Sequence, residues 1–206
     1  MSQEPISPQK ARKMSEEEKE ELIRKIEQDA HDNEIKYFGC SQVVLDALQR
    51  HLNIGNGGAF KAASALAGGV ATKREVCGAL IGGVMAIGLA YGRAKFEAGK
   101  VGREQPDYVE AQVRATRLCD RFRERFGSPI CRFVRYSVRE PGFKEHTNYD
   151  TIEQFEDHAK CGDVTGPTAR LAAEIILQPT ESFVAEINAK LEEIAQVRKL
   201  QKQQKS

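Results

Sequence analysis

The sequence has no tryptophan, and only 7% of its 206 residues are aromatic. A platform that stacks nucleic-acid bases needs more aromatic side chains than this, so base recognition is disfavoured. Lysine and arginine number 31 against 30 aspartate and glutamate residues, which leaves a net charge of +1. Because neither sign forms a large block, the charge pattern does not indicate a nucleic-acid partner.

Segments that would direct the chain into a membrane are also missing. No apolar run reaches the roughly 18 residues that a transmembrane helix needs, and the N-terminal segment lacks the apolar core of a secretory signal. We therefore expect a cytoplasmic protein. Nucleotide-binding loops, HExxH pairs and nucleophile elbows are absent as well, so hydrolase and kinase chemistry has no residues to perform it.

The hydrophobic spacing predicts helices throughout and no alternating strands, so the predicted class is all-α, a single-domain multi-helix bundle. Residues 1–14 read as a disordered arm, 15–36 as a charged helix, 37–178 as a four-cysteine helical domain, and 179–206 as a C-terminal helix with a fraying tail. A capping box, Ser15 with Glu18, predicts the start of the charged helix. A later helix, from Pro106 to about Phe126, is predicted to turn Val109, Val113, Leu118 and Phe122 inward and its arginines outward.

Glycine is concentrated in residues 76–93, VCGALIGGVMAIGLAYGR. We predict a buried helix here, opened by a capping box of Thr72 and Glu75. Each glycine in a helix interior costs up to about 1 kcal/mol relative to alanine. We therefore expect another helix or a cofactor to approach the side-chain-free face closely. The charged residues 73–75 and Arg93 leave too short a span for a membrane helix.

Five cysteines are present and none forms a CxxC pair. Cys119 lies beside Leu118 and Phe122 at helical spacing, which predicts a core position. The other four lie beside predicted helix boundaries or small-residue turns, tens of residues apart, so the fold must assemble any site that they share. These four candidate site residues are Cys40, Cys77, Cys131 and Cys161.

The predicted helix ends suggest different thiol chemistry at different cysteines. Ser128-Pro129 predicts a helix start that places Cys131 in the first turn, where the helix dipole favours a thiolate. Cys40 and Cys77 are expected to share this effect more weakly. Cys161 is predicted to follow a helix from Asp150 to about residue 160, where the dipole disfavours a thiolate unless a metal or another cation is near. His158 would lie on the same face as Cys161, either as a replacement ligand or proton donor or as a solvated surface residue.

The ordered motifs resemble a known family. They are GC at 39–40, CGALIG at 77–82, AIGLAYGR at 86–93 and RFGSPIC at 125–131. Over about residues 37–178, the sequence resembles the redox-active family named for its C_GCAxxG_C_C cysteine pattern. The resemblance implies that Cys40, Cys77, Cys131 and Cys161 are the family's four cysteines, while Cys119 has no counterpart. A more distant similarity to the N-terminal part of split-Soret cytochromes implies an iron–sulfur centre. CxxCH is absent, so no haem is expected.

Three functions stay open from the sequence. The four cysteines can bind an iron–sulfur cluster, possibly [2Fe–2S], for electron transfer or redox sensing with a partner protein. They can instead act as catalytic dithiols of an oxidoreductase, in any of three pairings. Structural zinc is less expected without local CxxC knuckles. The third possibility is a non-catalytic helical assembly module with incidental thiols. In it the glycine face packs a homodimer, and the narrow apolar stripes of the first and last helices can also serve the dimer.

Overall fold

A computed structural model describes residues 6–101, 104–138, 160–181 and 183–185. Over these residues the architecture is helical, which confirms the predicted all-α class. Strand-like pairing within the described part is limited to one isolated bridge, between Val76 and Ile130. The helices are α1 (Pro8–Ala11), α2 (Glu16–Tyr37), α3 (Cys40–Leu52), α4 (Gly57–Ala63, continued by a 3-10 turn Ser64–Leu66), α5 (Gly78–Tyr91), α6 (Pro106–Phe126), α7 (Cys131–Ser137) and α8 (Gly162–Leu177).

The predicted disordered arm is ordered in its second half. Residues 8–11 form α1, and Ala11 is fully buried. Two contacts hold this segment: the Ile6 N–H donates to the His51 carbonyl at 3.0 Å, and Arg12 donates to the Ile176 carbonyl at 3.2 Å. The prediction missed these contacts because one small apolar residue leaves no periodic pattern in a polar segment.

Helix α2 begins as predicted, since Ser15 and Glu18 form the capping box with reciprocal hydrogen bonds. Its apolar stripe packs on α8, where glycines allow close approach: a Cβ added at Gly166 would lie 3.0 Å from the Glu27 carbonyl oxygen. Thr165 also donates its hydroxyl to the Ala30 carbonyl. The stripe that was a candidate dimer face is therefore buried within the chain.

The glycine-rich helix α5 is confirmed as a helix, but its start is different. Thr72 and Glu75 form no capping box; Cys77 is the N-cap, and the helix begins at Gly78. A side chain at Gly82 would overlap the Ser41 carbonyl oxygen of α3, and one at Gly83 would lie 2.8 Å from Leu118 of α6. Close helix packing thus accounts for these two glycines, as expected.

Helix α6 has the predicted bounds, and Leu118 and Phe122 are buried as predicted, but two other positions differ. Val109 is exposed, whereas Arg114 is completely buried. The prediction of water-facing arginines is therefore wrong for Arg114. Its guanidinium lies 4.0 Å from the Tyr91 ring centroid and 4.2 Å from that of Phe183, and donates to the Ile175 carbonyl. These partners come from distant parts of the chain, so local spacing could not reveal them.

Helix α8 begins earlier than expected, at Gly162 rather than Thr168, with Pro167 inside it. Cys161 is consequently the N-cap of this helix, a position that the sequence analysis did not predict. The dipole of α8 favours a thiolate at Cys161, an effect opposite to that expected from the predicted preceding helix. The predicted helix from Asp150, His158 and most of 179–206 lie outside the described residues. No helix in the described ranges combines the length and apolar character needed to cross a bilayer.

Candidate redox site

Four of the five cysteines lie at the N-terminal ends of four different helices. Cys40 and Cys131 are the first residues of α3 and α7, and Cys77 and Cys161 are the N-caps of α5 and α8. A helix N-terminus presents unpaired N–H groups and the positive end of the helix dipole, an arrangement that attracts anions. Four such ends thus surround the cysteines.

The four thiols line one cavity of about 130 Å³, whereas Cys119 is outside it and packs against the core, as its spacing predicted. Most of the cavity wall is apolar, with Ala79, Val134 and Val164 among its members. The fold therefore gathers sulfur atoms that are separated by tens of residues in the sequence. In the described part of the chain, no three His, Cys, Asp or Glu residues are grouped closely enough to hold a single metal ion.

A strained loop forms one wall of the cavity. Residues 68–72 are all in the left-handed region, with φ of 59° at Val70 and 62° at Thr72, and Arg74 is there too at 63°. This conformation costs an L-residue about 1–2 kcal/mol. Hydrogen bonds hold the end of the loop: Cys77 N–H donates to the Pro129 carbonyl at 2.9 Å, and Cys131 N–H donates to the Glu75 carbonyl at 2.6 Å. The loop thereby ties the starts of α5 and α7 together.

Two glycines make room for the cysteine side chains. A Cβ added at Gly78 would overlap the Cys40 sulfur and lie 3.0 Å from the Leu66 carbonyl oxygen. At Gly69, whose φ is +73°, a Cβ would lie 2.6 Å from the Cys131 Cβ. Neither position can take a side chain unless the cysteine beside it moves. Cys40 and Cys131 are thus held against bare backbone.

Burial keeps three of the thiols protonated. It raises the pKa of Cys40 to about 12, and it also raises the pKa of Cys77 and Cys161. The thiols are close enough to influence each other, since Cys40 and Cys131 both raise the pKa of Cys77. Backbone N–H groups of Ala79 and Leu80 oppose the rise at Cys77. The expected lowering at Cys40 and Cys77 is therefore wrong, because desolvation outweighs the helix ends.

Glu34, on α2, is a cavity residue that the sequence did not reveal. Its side chain is 2% exposed, and its Oε2 atom has no hydrogen-bond partner in the described structure. Burial raises its pKa to about 7, an effect that Arg135 partly opposes. Its charge in turn raises the pKa of Cys40 and Cys161. A glutamate in a charged helix gives no sign of this position, because only the packing of α2 places it beside the thiols.

Two arginines also line the cavity. Arg74 is 8% exposed and hydrogen-bonds Cys131, and burial followed by the nearby Arg135 lowers its pKa. Glu75, predicted to be a capping residue, is exposed and contributes through its backbone: its N–H donates to the Gly69 carbonyl, and its carbonyl accepts from the Cys131 N–H. In the sequence, Arg74 follows the glycine pair at 68–69, and Arg135 lies one helical turn after Cys131. This proximity could have suggested that both arginines lie near the site, but it could not show that their side chains line the cavity.

Comparison with known proteins adds one family match. The model described as "Putative redox-active protein (C_GCAxxG_C_C)" matches residues 38–175, which contain all four cavity cysteines. No curated protein matches the chain. No solved structure matches it either.

Proposed function

The chain belongs to the C_GCAxxG_C_C redox-active family, and from that premise we propose that its four cavity cysteines hold an iron–sulfur cluster for electron transfer or redox sensing. The shared cavity carries this proposal, since four cysteine thiolates are the usual ligands of [2Fe–2S] and [4Fe–4S] clusters. A cluster supplies one-electron chemistry when bound. The proposed ligands are Cys40, Cys77, Cys131 and Cys161.

The electrostatics of the cavity suit an anionic centre. Metal ligation requires deprotonated sulfurs, and four thiolates bring four negative charges into a buried space. The N-terminal ends of α3, α5, α7 and α8 offset part of that charge. Arg74 and Arg135 add two guanidinium groups on the cavity wall. Without a bound cation, burial keeps Cys40, Cys77 and Cys161 as neutral thiols, so the charge arises only on binding.

The shape of the cavity supports the same conclusion. Its volume of about 130 Å³ exceeds the roughly 30 Å³ that one water occupies in the liquid. Gly78 leaves the Cys40 sulfur in place beside the start of α5. Apolar side chains such as Val134 and Val164 limit access of water, which favours the persistence of a cluster. The cavity therefore has space for a group larger than a single ion.

Anaerobic purification followed by iron and sulfide analysis and a visible spectrum tests the proposal. We expect iron and sulfide in stoichiometric amounts and visible absorption from sulfur-to-iron charge transfer. Serine at any one of the four cavity positions is expected to reduce both. Cys119→Ser is the matched control, because Cys119 lies outside the cavity, and it should keep the iron, the sulfide and the spectrum.

Two results would overturn the cluster. One is a colourless protein that contains zinc or no metal after strictly anaerobic preparation. The other is an iron content that falls equally in Cys119→Ser and in the cavity variants while all of them stay folded, since the four cavity positions would then have no special role. Far-ultraviolet circular dichroism of each variant shows whether that variant is folded, and so distinguishes loss of the cluster from unfolding.

Glu34 favours a second candidate, a dithiol/disulfide oxidoreductase that uses the same cysteines. In this candidate two thiols form a disulfide, and two electrons and two protons pass to a partner disulfide that becomes two thiols. A carboxyl with a pKa of about 7 beside Cys40 and Cys161 is suited to accept a proton from a thiol near neutral pH. Its weakness is the pKa of Cys40, about 12, because thiolate is the attacking species.

Thiol titration separates the two candidates. The dithiol candidate expects metal-free protein in which four cavity thiols fall to two or none after mild oxidation and return on reduction. Glu34→Gln should then slow the oxidation, whereas Cys119→Ser should leave its rate unchanged. The cluster proposal expects the thiols to be unreactive until iron is removed.

A further inference from the structure

Three segments frame the mouth of the cysteine cavity. They are residues 35–38 around the end of α2, the loop 70–76, and α7 with its C-cap, 131–138. Phe38, Thr72 and Arg135 contribute to the cavity wall, one from each segment. The Arg132 N–H donates to the Arg74 carbonyl at 3.3 Å, which joins the loop to α7. We call the outer surface of these three segments the rim.

The three rim segments expose large aromatic side chains. Tyr37 is 64% exposed at the end of α2, and Phe133 and Tyr136 are 60% and 65% exposed on α7. Most of the other large apolar side chains among the described residues are buried in the helix core, although Phe96, beyond the C-terminal end of α5, is 84% exposed. Exposed aromatic residues that cluster around a cavity are typical of an interface, because they supply contact area with few rotatable bonds.

Positive charge is concentrated on the same surface. The three segments contain five lysine or arginine residues and one carboxylate, Glu75, in a chain whose net charge is only +1. Lys36, Lys73 and Arg132 are exposed, whereas Arg74 and Arg135 face the cavity. A nearby carboxylate of α8, Asp163, lies against His31 at 3.7 Å. The rim therefore attracts a surface of negative charge.

We propose that the rim is the docking surface for an acidic, one-electron carrier protein. This inference depends on the proposed cluster. In the docked complex one electron leaves the reduced centre of the carrier, which is oxidised, and enters the four-cysteine centre, which is reduced. The exposed cations orient the acidic carrier, and the aromatic side chains form the contact around the mouth.

Other occupants fit the rim less well. A second copy docked through the same patch would place Lys36, Lys73 and Arg132 against their own counterparts, which repel each other. A nucleic acid would match the charge, but it carries no redox centre that could exchange an electron with the four-cysteine centre. Both occupants are outcomes of the test below.

Binding of a plant-type ferredoxin, an acidic one-electron carrier, to the anaerobically purified protein tests the rim. We expect binding to weaken at least about tenfold between about 50 mM and about 500 mM salt. Lys36→Glu with Arg132→Glu should weaken it by a similar factor at low salt, and slow reduction by the reduced ferredoxin correspondingly. The matched control is Lys10→Glu with Lys100→Glu, which makes the same charge change beyond the other end of α5 and should stay within about twofold of the parent.

Four results would overturn the docking surface. The first two are ferredoxin binding that both double variants weaken equally and ferredoxin binding that neither double variant weakens. The third is tighter binding of the basic carrier cytochrome c. The fourth is a stronger salt-dependent complex with a DNA duplex or with a second copy, as seen by sedimentation. Ferredoxin binding tests the docking surface and is measured whether or not electrons pass. Iron and sulfide analysis of the same sample tests the cluster. Failure of one proposal can therefore be distinguished from failure of the other.

Discussion

Both ends of the helix bundle bury charged side chains, but the two ends differ in how those charges are satisfied. At the C-terminal end of α5, Arg114 is enclosed by the rings of Tyr91 and Phe183. It donates to Glu110 at 2.9 Å and to the Ile175 carbonyl at 2.5 Å. At the cysteine end, Glu34 is equally inaccessible, yet one of its oxygens has no hydrogen-bond partner in the described structure.

This difference separates a structural charge from a functional one. A buried charge with all its partners stabilises one arrangement of the helices around it. An unsatisfied carboxyl costs stability, and it persists where a ligand or a reaction compensates. The Arg114 end also has one buried polar atom without a partner among the described residues, the Nε of Arg12 beside Tyr91, so the unsatisfied carboxyl is not the distinguishing feature by itself. The thiols and arginines around Glu34 mark the cysteine end as the functional one.

The largest expected effect is on stability at the Arg114 end. Arg114→Met leaves the Ile175 carbonyl without its side-chain donor and Glu110 with only the Thr180 hydroxyl as a donor, and we expect it to reduce the free energy of unfolding by about 3–5 kcal/mol. Denaturant unfolding measures this. Arg123→Ala is the control, because Arg123 is exposed and pairs with Asp120 on the surface, and it should cost less than about 1 kcal/mol. Similar losses in both variants would remove the contrast between the ends.

The next effect is on pH dependence at the cysteine end. Burial raises the pKa of Glu34 from 4.5 to about 7, so the native state holds a proton that the unfolded chain has lost. Stability of the metal-free protein therefore decreases as pH rises from about 4.5 to about 7, by about 3 kcal/mol. Denaturant unfolding across this range measures the decrease. In Glu34→Gln the decrease in the free energy of unfolding should be smaller by about 3 kcal/mol. An identical pH profile for Glu34→Gln and the parent protein would mean that Glu34 is not buried as described.

The two ends of α5 give a smaller, matched comparison. Gly78→Ala places a methyl group on the Cys40 sulfur, and we expect it to destabilise the fold by about 1–3 kcal/mol and to lower the iron content. The control is Gly88→Ala, near the other end of the same helix, and its expected effect is given next. Thermal unfolding and metal analysis on one preparation provide both measurements.

The smallest expected effect is a gain. Nothing lies within 4 Å of a Cβ added at Gly88, so the sequence-based expectation of a close neighbour is wrong there. Gly88→Ala should stabilise the protein by about 0.5–1 kcal/mol, because alanine loses less backbone entropy in a helix. Thermal unfolding measures this. A loss of stability from Gly88→Ala comparable with that from Gly78→Ala would show that crowding is not specific to the cysteine end.

Local signals in the sequence predicted the helices well. The capping box at Ser15 and the Pro106–Phe126 helix agree with the structure because both depend on neighbouring residues. The failures occurred where distant contacts override local preference. The loop of left-handed residues replaced the capping box predicted at Thr72, and α8 continues through Pro167 because it packs on α2.

The sequence alone determined the helical class, the start of α2, the bounds of α6 and which cysteines merit attention, because periodicity, capping and small-residue turns are short-range. Only the tertiary structure decided that four helix N-termini meet, that Glu34, Arg74 and Arg135 surround the thiols, and that Arg114 is enclosed at the far end. These features depend on contacts between residues far apart in the chain, and on desolvation, which no stretch of sequence contains by itself.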